Sequence, residues 1–167
     1  LLDMMIEKGI KRNPTIYNSL MKCHENDKVR VADLNVLMIE DGIKPDVFTY
    51  STLIKASSGD LDKVEMFYQK MIKERIIPDI VTYTTLIDVY AKNGDLEKAV
   101  EVFASMKKEG IKPSVVTFNT MIDAYAKIEE LEKAEEMFIS MKKDGMKPDV
   151  FTYNSMIDAF AKSGDID

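Results

Sequence analysis

The chain has 167 residues, a formal net charge of -6, 46% hydrophobic and 31% charged residues, and no low-complexity tract, which excludes a disordered or fibrous polymer and allows a sizeable core. The acid excess excludes a chain that coats nucleic acid through overall positive charge, so any such contact must draw on locally placed lysines. Lys, Glu or Asp interrupts every apolar stretch before it reaches the roughly 18 to 20 residues of a membrane span, and the single cysteine, Cys23, makes no internal disulfide and supplies no metal cluster, which fits a reducing compartment and a part-buried free thiol.

Residues 1–13 open on LLDMMIEKGI, whose acidic residues inside an apolar pattern mark the tail of an amphipathic helix rather than a signal or transit peptide; the chain reads as a piece of something longer. From there one wording recurs. Its units run over 14–46, 47–79, 80–114 and 115–149, and 150–167 holds the first helix of another. IIPDIVTYTTLIDVYAKNGDLEKA, IKPSVVTFNTMIDAYAKIEELEKA and MKPDVFTYNSMIDAFAKSGDID align without gaps, and KPDVFTY stands unchanged at 44–50 and 147–153. Successive units are spaced by 33, 33, 35 and 35 residues; both short ones lose their two residues around the inner turn, and one of them reads LIKASSGDL where LIDVYAKNGDL would stand.

Within 80–114, Tyr83, Leu86, Ile87 and Tyr90 fall at i, i+3, i+4 and i+7 and predict one helix; Leu96, Ala99, Val100, Phe103 and Met106 predict a second. Gly94 suits a left-handed helix end and Asp95 the next N-cap. Gly110 is the second stop and Pro113 bars continuation, whereas Arg75 stands where other units have Gly and is expected to weaken that stop. A helix pair this small cannot bury both stripes alone, so neighbours must stack: an all-α fold, an α-solenoid of helix-turn-helix repeats of about 35 residues. The seven Tyr, seven Phe and 12 Met are read as that core rather than as a cofactor site.

Opposite the core stripe, Val81, Thr84, Asp88 and Lys92 share one face of the first helix, as do Val116, Asn119, Asp123 and Lys127, and Phe151, Asn154, Asp158 and Lys162. In the short units Thr15, Asn18 and Lys22, then Phe48, Ser51 and Lys55, take corresponding places. One apolar side chain, one small hydrogen-bonding side chain and usually one lysine per unit suit single-stranded nucleic acid: a wedge for a base face, a polar group for its edge, an ammonium for a phosphate. The same residues also fit a purely structural role, as helix caps and as cations at helix C-termini, and the residues alone leave both readings open. His24, the one histidine, reads as a turn residue rather than a ligand, and no glycine-rich phosphate loop, nucleophile with its base, or metal site is visible.

The 35-residue spacing and the wording VTYTTLIDVYAKNGDLEKAVEVFASMKKEGIKPS resemble the pentatricopeptide repeat family over essentially the whole chain. Tetratricopeptide repeats share the hairpin but have a 34-residue period and Trp and Leu-Gly cues, and this chain has no Trp. The resemblance implies a right-handed superhelix, part of a longer array, with no cofactor and no enzymatic activity in this stretch. It also implies an RNA-binding protein of chloroplast or mitochondrion, acting in RNA processing, stability, translation or transcription, with one base per repeat. Base choice then falls to the residue after the first-helix aromatic together with the last residue of the repeat. Asn18 with Asp46 implies uracil, Ser51 with Asp79 guanine, Thr84 with Ser114 a weak purine preference, Asn119 with Asp149 uracil, and Asn154 alone a pyrimidine. Base-sandwiching falls to Thr15, Phe48, Val81, Val116 and Phe151, of which Thr15 departs from the family's pattern, and phosphate contact to Lys92, Lys127 and Lys162, a lysine that the short units lack. RNA running parallel to the protein gives an expected target of 5′-U-G-purine-U-pyrimidine-3′. The acid excess then sits on second helices such as GDLEKAVEVFASMKKEG, the outer solvated wall. The competing expectation is a scaffold packed against other proteins in a large organellar assembly; a third, the recognition arm of an enzyme, finds no metal site in this stretch.

Overall fold

The computed structural model describes residues 8–163, so the predicted helix tail in LLDMMIE lies outside the described residues. The chain divides into two compact units that meet between Pro78 and Asp79. The first holds α1 (Pro14–Cys23), α2 (Lys28–Glu40), α3 (Val47–Ala56) and α4 (Leu61–Lys73). The second holds α5 (Ile80–Lys92), α6 (Leu96–Lys108), α7 (Val115–Lys127), α8 (Leu131–Lys143) and α9 (Val150–Ser163), and no strand occurs among the described residues.

Each first helix starts where a short polar side chain takes an orphan backbone N–H. Asn13 accepts from Ile16, Asp46 from Thr49, Asp79 from Thr82 and Ser114 from Thr117. At Asp46, Asp79 and Ser114 the threonine hydroxyl answers by accepting the cap residue's own N–H, a complete capping box, and Asp149 and Thr152 make the same reciprocal pair at α9. Within the first unit α1 packs on α2 and α3, and α3 on α2 and α4; within the second, α5 packs on α6 and α7, and α7 on α8 and α9. Tyr17, Met21, Val31, Leu34, Met38, Tyr50, Leu53 and Met71 form the first unit's core. In the second unit Leu86, Ile87, Met106, Phe118, Met121, Ile122 and Met141 are fully buried, each worth about 1.5 to 3 kcal/mol if Leu, Ile, Met or Phe is taken from water. The predicted stripe of α5 lies in this core, but Val100 of α6 is exposed: it follows the buried Ala99 directly and so points about 100° away from it.

The two-residue deletions reshape the inner turns. In the long units α5 and α7 have 13 residues, and a left-handed residue follows each, Gly94 at φ 80° and Glu129 at φ 64°, with the N–H of Asp95 or Glu130 returning to the carbonyl of Tyr90 or Tyr125. In the short units α1 and α3 stop after 10 residues, and the chain closes instead through Asp27 N–H to His24 carbonyl and Asp60 N–H to Ser57 carbonyl. Lost residues thus come from the helix end, and the turn gains one. This explains a departure at Cys23, expected part-buried and found exposed: it is the last residue of the shortened α1, whereas its counterparts Val89, Ala124 and Ala159 lie inside longer helices and are buried. His24 caps α1 at its C-terminus, in the turn, as expected.

Arg75 does not move the stop of α4. It adopts φ 59°, and Ile76 donates to the Met71 carbonyl at 3.0 Å, the bond that Ile111 makes to Met106 behind Gly110. Packing of Met71, fully buried, holds the turn, and the arginine bears the left-handed conformation, which costs a residue with a Cβ about 1 to 2 kcal/mol. Arg75→Gly and Glu129→Gly are therefore expected to stabilise the protein by about 0.5 to 1 kcal/mol each after the entropy of glycine is counted, raising Tm by roughly 2 to 4 °C per kcal/mol. Thermal melts of the single and double variants check this; an unchanged or lower Tm contradicts it.

Candidate functional site

The expected base-sandwiching side chains are apolar and yet face solvent. Val81, Val116 and Phe151 are 57%, 63% and 53% exposed and Phe48 is 41% exposed; two residues further on, Tyr83, Phe118 and Tyr50 are buried, whereas Tyr153, expected in the core, is exposed on the last helix. Thr15 is exposed on α1. In the second unit Val81 and Thr84 of α5 and Ser114 and Val116 at the start of α7 line one cleft of about 300 Å³, so two of the expected sandwiching residues flank one expected reading pair.

The expected reading residues are held by hydrogen bonds. Asn18 donates its side-chain amide to both carboxylate oxygens of Asp46, at 3.0 and 2.9 Å, and accepts at its own carbonyl from the Thr49 hydroxyl at 2.7 Å. Asn119 repeats this: its amide donates to Asp149 Oδ1 at 3.0 Å and its carbonyl accepts from Thr152 at 2.6 Å. The orientation of both amides follows, since the opposite one would set a carbonyl oxygen against a carboxylate. Asp149 Oδ1 takes the Thr152 N–H as well, at 2.9 Å, with the Thr152 hydroxyl oxygen 3.0 Å away. The Thr152 backbone bond, then the Asn119 amide and the Thr152 hydroxyl, hold its carboxyl below the usual carboxylate range. Because the folded-state value is depressed, the stability Asp149 contributes is complete above its unfolded value of about 3.9 and is lost as pH falls through the folded one. Asp149→Asn is thus expected to lower Tm at neutral pH and to flatten the acid side of a Tm-against-pH curve; an unaltered acid side contradicts the assignment.

Thr84 and Ser114 differ in kind. Thr84 and Thr117 hydroxyls are 2.9 Å apart and Ser114 and Thr117 hydroxyls 3.0 Å apart, with either atom able to donate. Three neutral hydroxyls in a row fix neither a donor nor an acceptor for a base. Ser51, in α3, donates to the Val47 carbonyl at 2.9 Å, and Asp79 caps α5, accepting the Thr82 N–H at 2.8 Å. These two lie in separate units. Asn154 is exposed on α9.

Each expected phosphate lysine comes with an acid. Lys92, Lys127 and Lys162 pair with Asp88, Asp123 and Asp158 of the preceding turn at 2.7, 2.6 and 2.7 Å, all at the surface. In the short units the aspartate's level is occupied by lysine: Lys55 pairs with Glu25 at 3.1 Å, and Lys22 lies 6.0 Å from the centre of the Phe48 ring. Sequence reasoning passed over these partners and the role of Thr49, Thr117 and Thr152, although the D-x-x-x-K spacing and the invariant threonine of the repeated word carried both. No group of three or more metal-binding side chains occurs, and no helix is long and apolar enough to cross a membrane, among the described residues.

The PPR repeat family matches residues 78–127 and 113–162, and the pentatricopeptide repeat domain matches 1–60 and 34–83. The chain belongs to the pentatricopeptide repeat family. Among solved structures, the pentatricopeptide repeat protein PPR10 in complex with an 18-nt psaJ RNA element superposes on 97% of the chain with a TM-score of 0.84 at 22% identity, and the chain spans 24% of it. PPR10 from maize gives 0.63 at 28% identity over 98% of the chain and 28% of its own. The pentatricopeptide repeat domain of Arabidopsis thaliana protein-only RNase P 1, in complex with tRNA, gives 0.76 at 16% identity over 91% of the chain and 82% of that domain. No curated protein matches the sequence significantly. The fold is thus the all-α helical-repeat solenoid of pentatricopeptide repeat proteins.

Proposed function

We propose that the chain binds single-stranded RNA along its first helices, one base per repeat, with a preference approximating 5′-U-G-purine-U-pyrimidine-3′. The observation that carries this reading is the Asn–Asp pair, at Asn18 with Asp46 and at Asn119 with Asp149, which fixes an amide donor beside a carboxylate acceptor. Uracil offers the complementary order, an O4 acceptor beside an N3–H donor; cytosine offers the reverse. Guanine has the order of uracil on a larger ring, and the resemblance to the family assigns it to Ser51 with Asp79. The hydroxyl row at Thr84 and Ser114 explains a weak preference there. Phe48, Val81, Val116 and Phe151 supply apolar faces for bases, with Thr15 at the first step.

In this reading Lys92, Lys127 and Lys162 meet phosphates, and the chain acts as a binding module without catalysis of its own. Its family, and the RNA-bound state of PPR10 and tRNA-bound state of protein-only RNase P 1, favour a role in organellar RNA metabolism, in chloroplast or mitochondrion. The pairing of every such lysine with an aspartate favours a second reading, a protein scaffold in an organellar complex, since it leaves the face with little net positive charge. Fluorescence anisotropy with a labelled RNA containing UGAUU, a scrambled RNA and the matching DNA separates the two. Preference for the matched RNA supports base reading; no binding even at low salt supports the scaffold.

A further inference from the structure

The two identical words KPDVFTY each straddle the end of a repeat whose reader is asparagine, Asn18 before the first and Asn119 before the second. Their shared threonine is fully buried in both places, Thr49 and Thr152, and its hydroxyl lies within hydrogen-bond distance of an acid oxygen and of the reader's amide carbonyl. A hydroxyl has one proton. The shorter contact, 2.7 Å at Asn18 and 2.6 Å at Asn119, runs to the amide carbonyl, which has no other way to sit that close to an oxygen. The acid oxygen already has the threonine backbone N–H, at 2.9 Å in both repeats.

We propose that Thr49 and Thr152 are specificity-positioning residues: each holds the asparagine of the preceding repeat by its carbonyl, so that the amide N–H aims at the base edge. This rests on the base-reading function proposed above. The asparagine is clamped at both ends, its NH2 by the acid that closes its own repeat and its carbonyl by a residue of the next. Cap and reader are therefore one hydrogen-bonded unit, and the choice between capping and base reading posed by the sequence dissolves. The threonine touches no base itself. Removing its hydroxyl leaves a nearly buried amide carbonyl without a partner, and the amide turns to find one, taking the donor off the base edge. The unit beginning at Pro14 has Ile16 at this position, which offers no such clamp to any residue before it.

Thr152→Val keeps the shape of the side chain and removes only the hydroxyl; Thr152→Ser restores it. We would titrate the chain and both variants with four RNAs that differ only at the base facing Asn119, and read the ratio of affinities for U and C. A purely structural threonine weakens all four RNAs alike and leaves that ratio alone. The expected result is a preference of roughly tenfold for U in the parent chain, a ratio near one in Thr152→Val, and recovery in Thr152→Ser. An unchanged ratio in Thr152→Val overturns the positioning role while base reading stands; no discrimination in the parent chain overturns base reading and the positioning role with it. Should Thr152→Val fail to fold, Thr49→Val read against the base facing Asn18 has the same outcomes.

Discussion

Asn119→Ser, with Asp149 kept, is expected to turn the uridine preference of that repeat into a guanosine preference and to leave the other positions alone. Both bases present an acceptor and a donor in the same order, so what separates them is room. Asparagine reaches out to the acid at 3.0 Å and fills the space over it; serine is shorter and admits the larger ring. Each well-placed pair of base contacts discriminates by about 1 to 3 kcal/mol, roughly 5- to 150-fold in affinity. Anisotropy against the four RNAs checks it. A profile that still favours U, or one that flattens at every position, contradicts the assignment of Asn119 as the reader.

The second large effect concerns charge. Replacing Lys92, Lys127 and Lys162 together by alanine is expected to reduce the slope of log affinity against log salt by about 2, since each phosphate contact with a single strand contributes about 0.7. The aspartates sharpen this test. Asp88, Asp123 and Asp158 each hold one of the lysines, and once the lysines are gone three carboxylates face the RNA unpaired. Asp88→Asn, Asp123→Asn and Asp158→Asn combined should do the opposite. Exposed pairs of this kind are worth about 0.2 to 1 kcal/mol each, so freeing three lysines raises affinity by roughly 3- to 150-fold at low salt. Salt titrations of both triple variants measure the effect. Equal affinities across parent and variants would remove these lysines from the interface and favour a scaffold.

The sequence reading found the helices because apolar period, cap residue and glycine stop agreed at each end: Asp79, the stripe from Tyr83 to Tyr90, and Gly94 all occupy their expected places. Where one signal was missing, tertiary packing supplied it, as at Arg75 and Glu129, which take left-handed backbone without being glycine. A deletion is harder to place than to count. The count was plain, but only the structure shows α1 and α3 cut short with an added turn residue, and so Cys23 exposed. At the site, the candidate residues were legible because they recur at fixed offsets. Their linkage was not, because Asn119, Asp149 and Thr152 come from successive repeats and meet only when α7 packs on α9.

The most direct test of base reading is selection of the chain's preferred ligands from an RNA pool randomised over five consecutive positions, followed by sequencing. The bound fraction is predicted to be enriched in U at the first and fourth positions and G at the second, with a shallow purine bias at the third and a pyrimidine bias at the fifth. Enrichment flat across all five positions, or a consensus with no register against the reading residues, would contradict it.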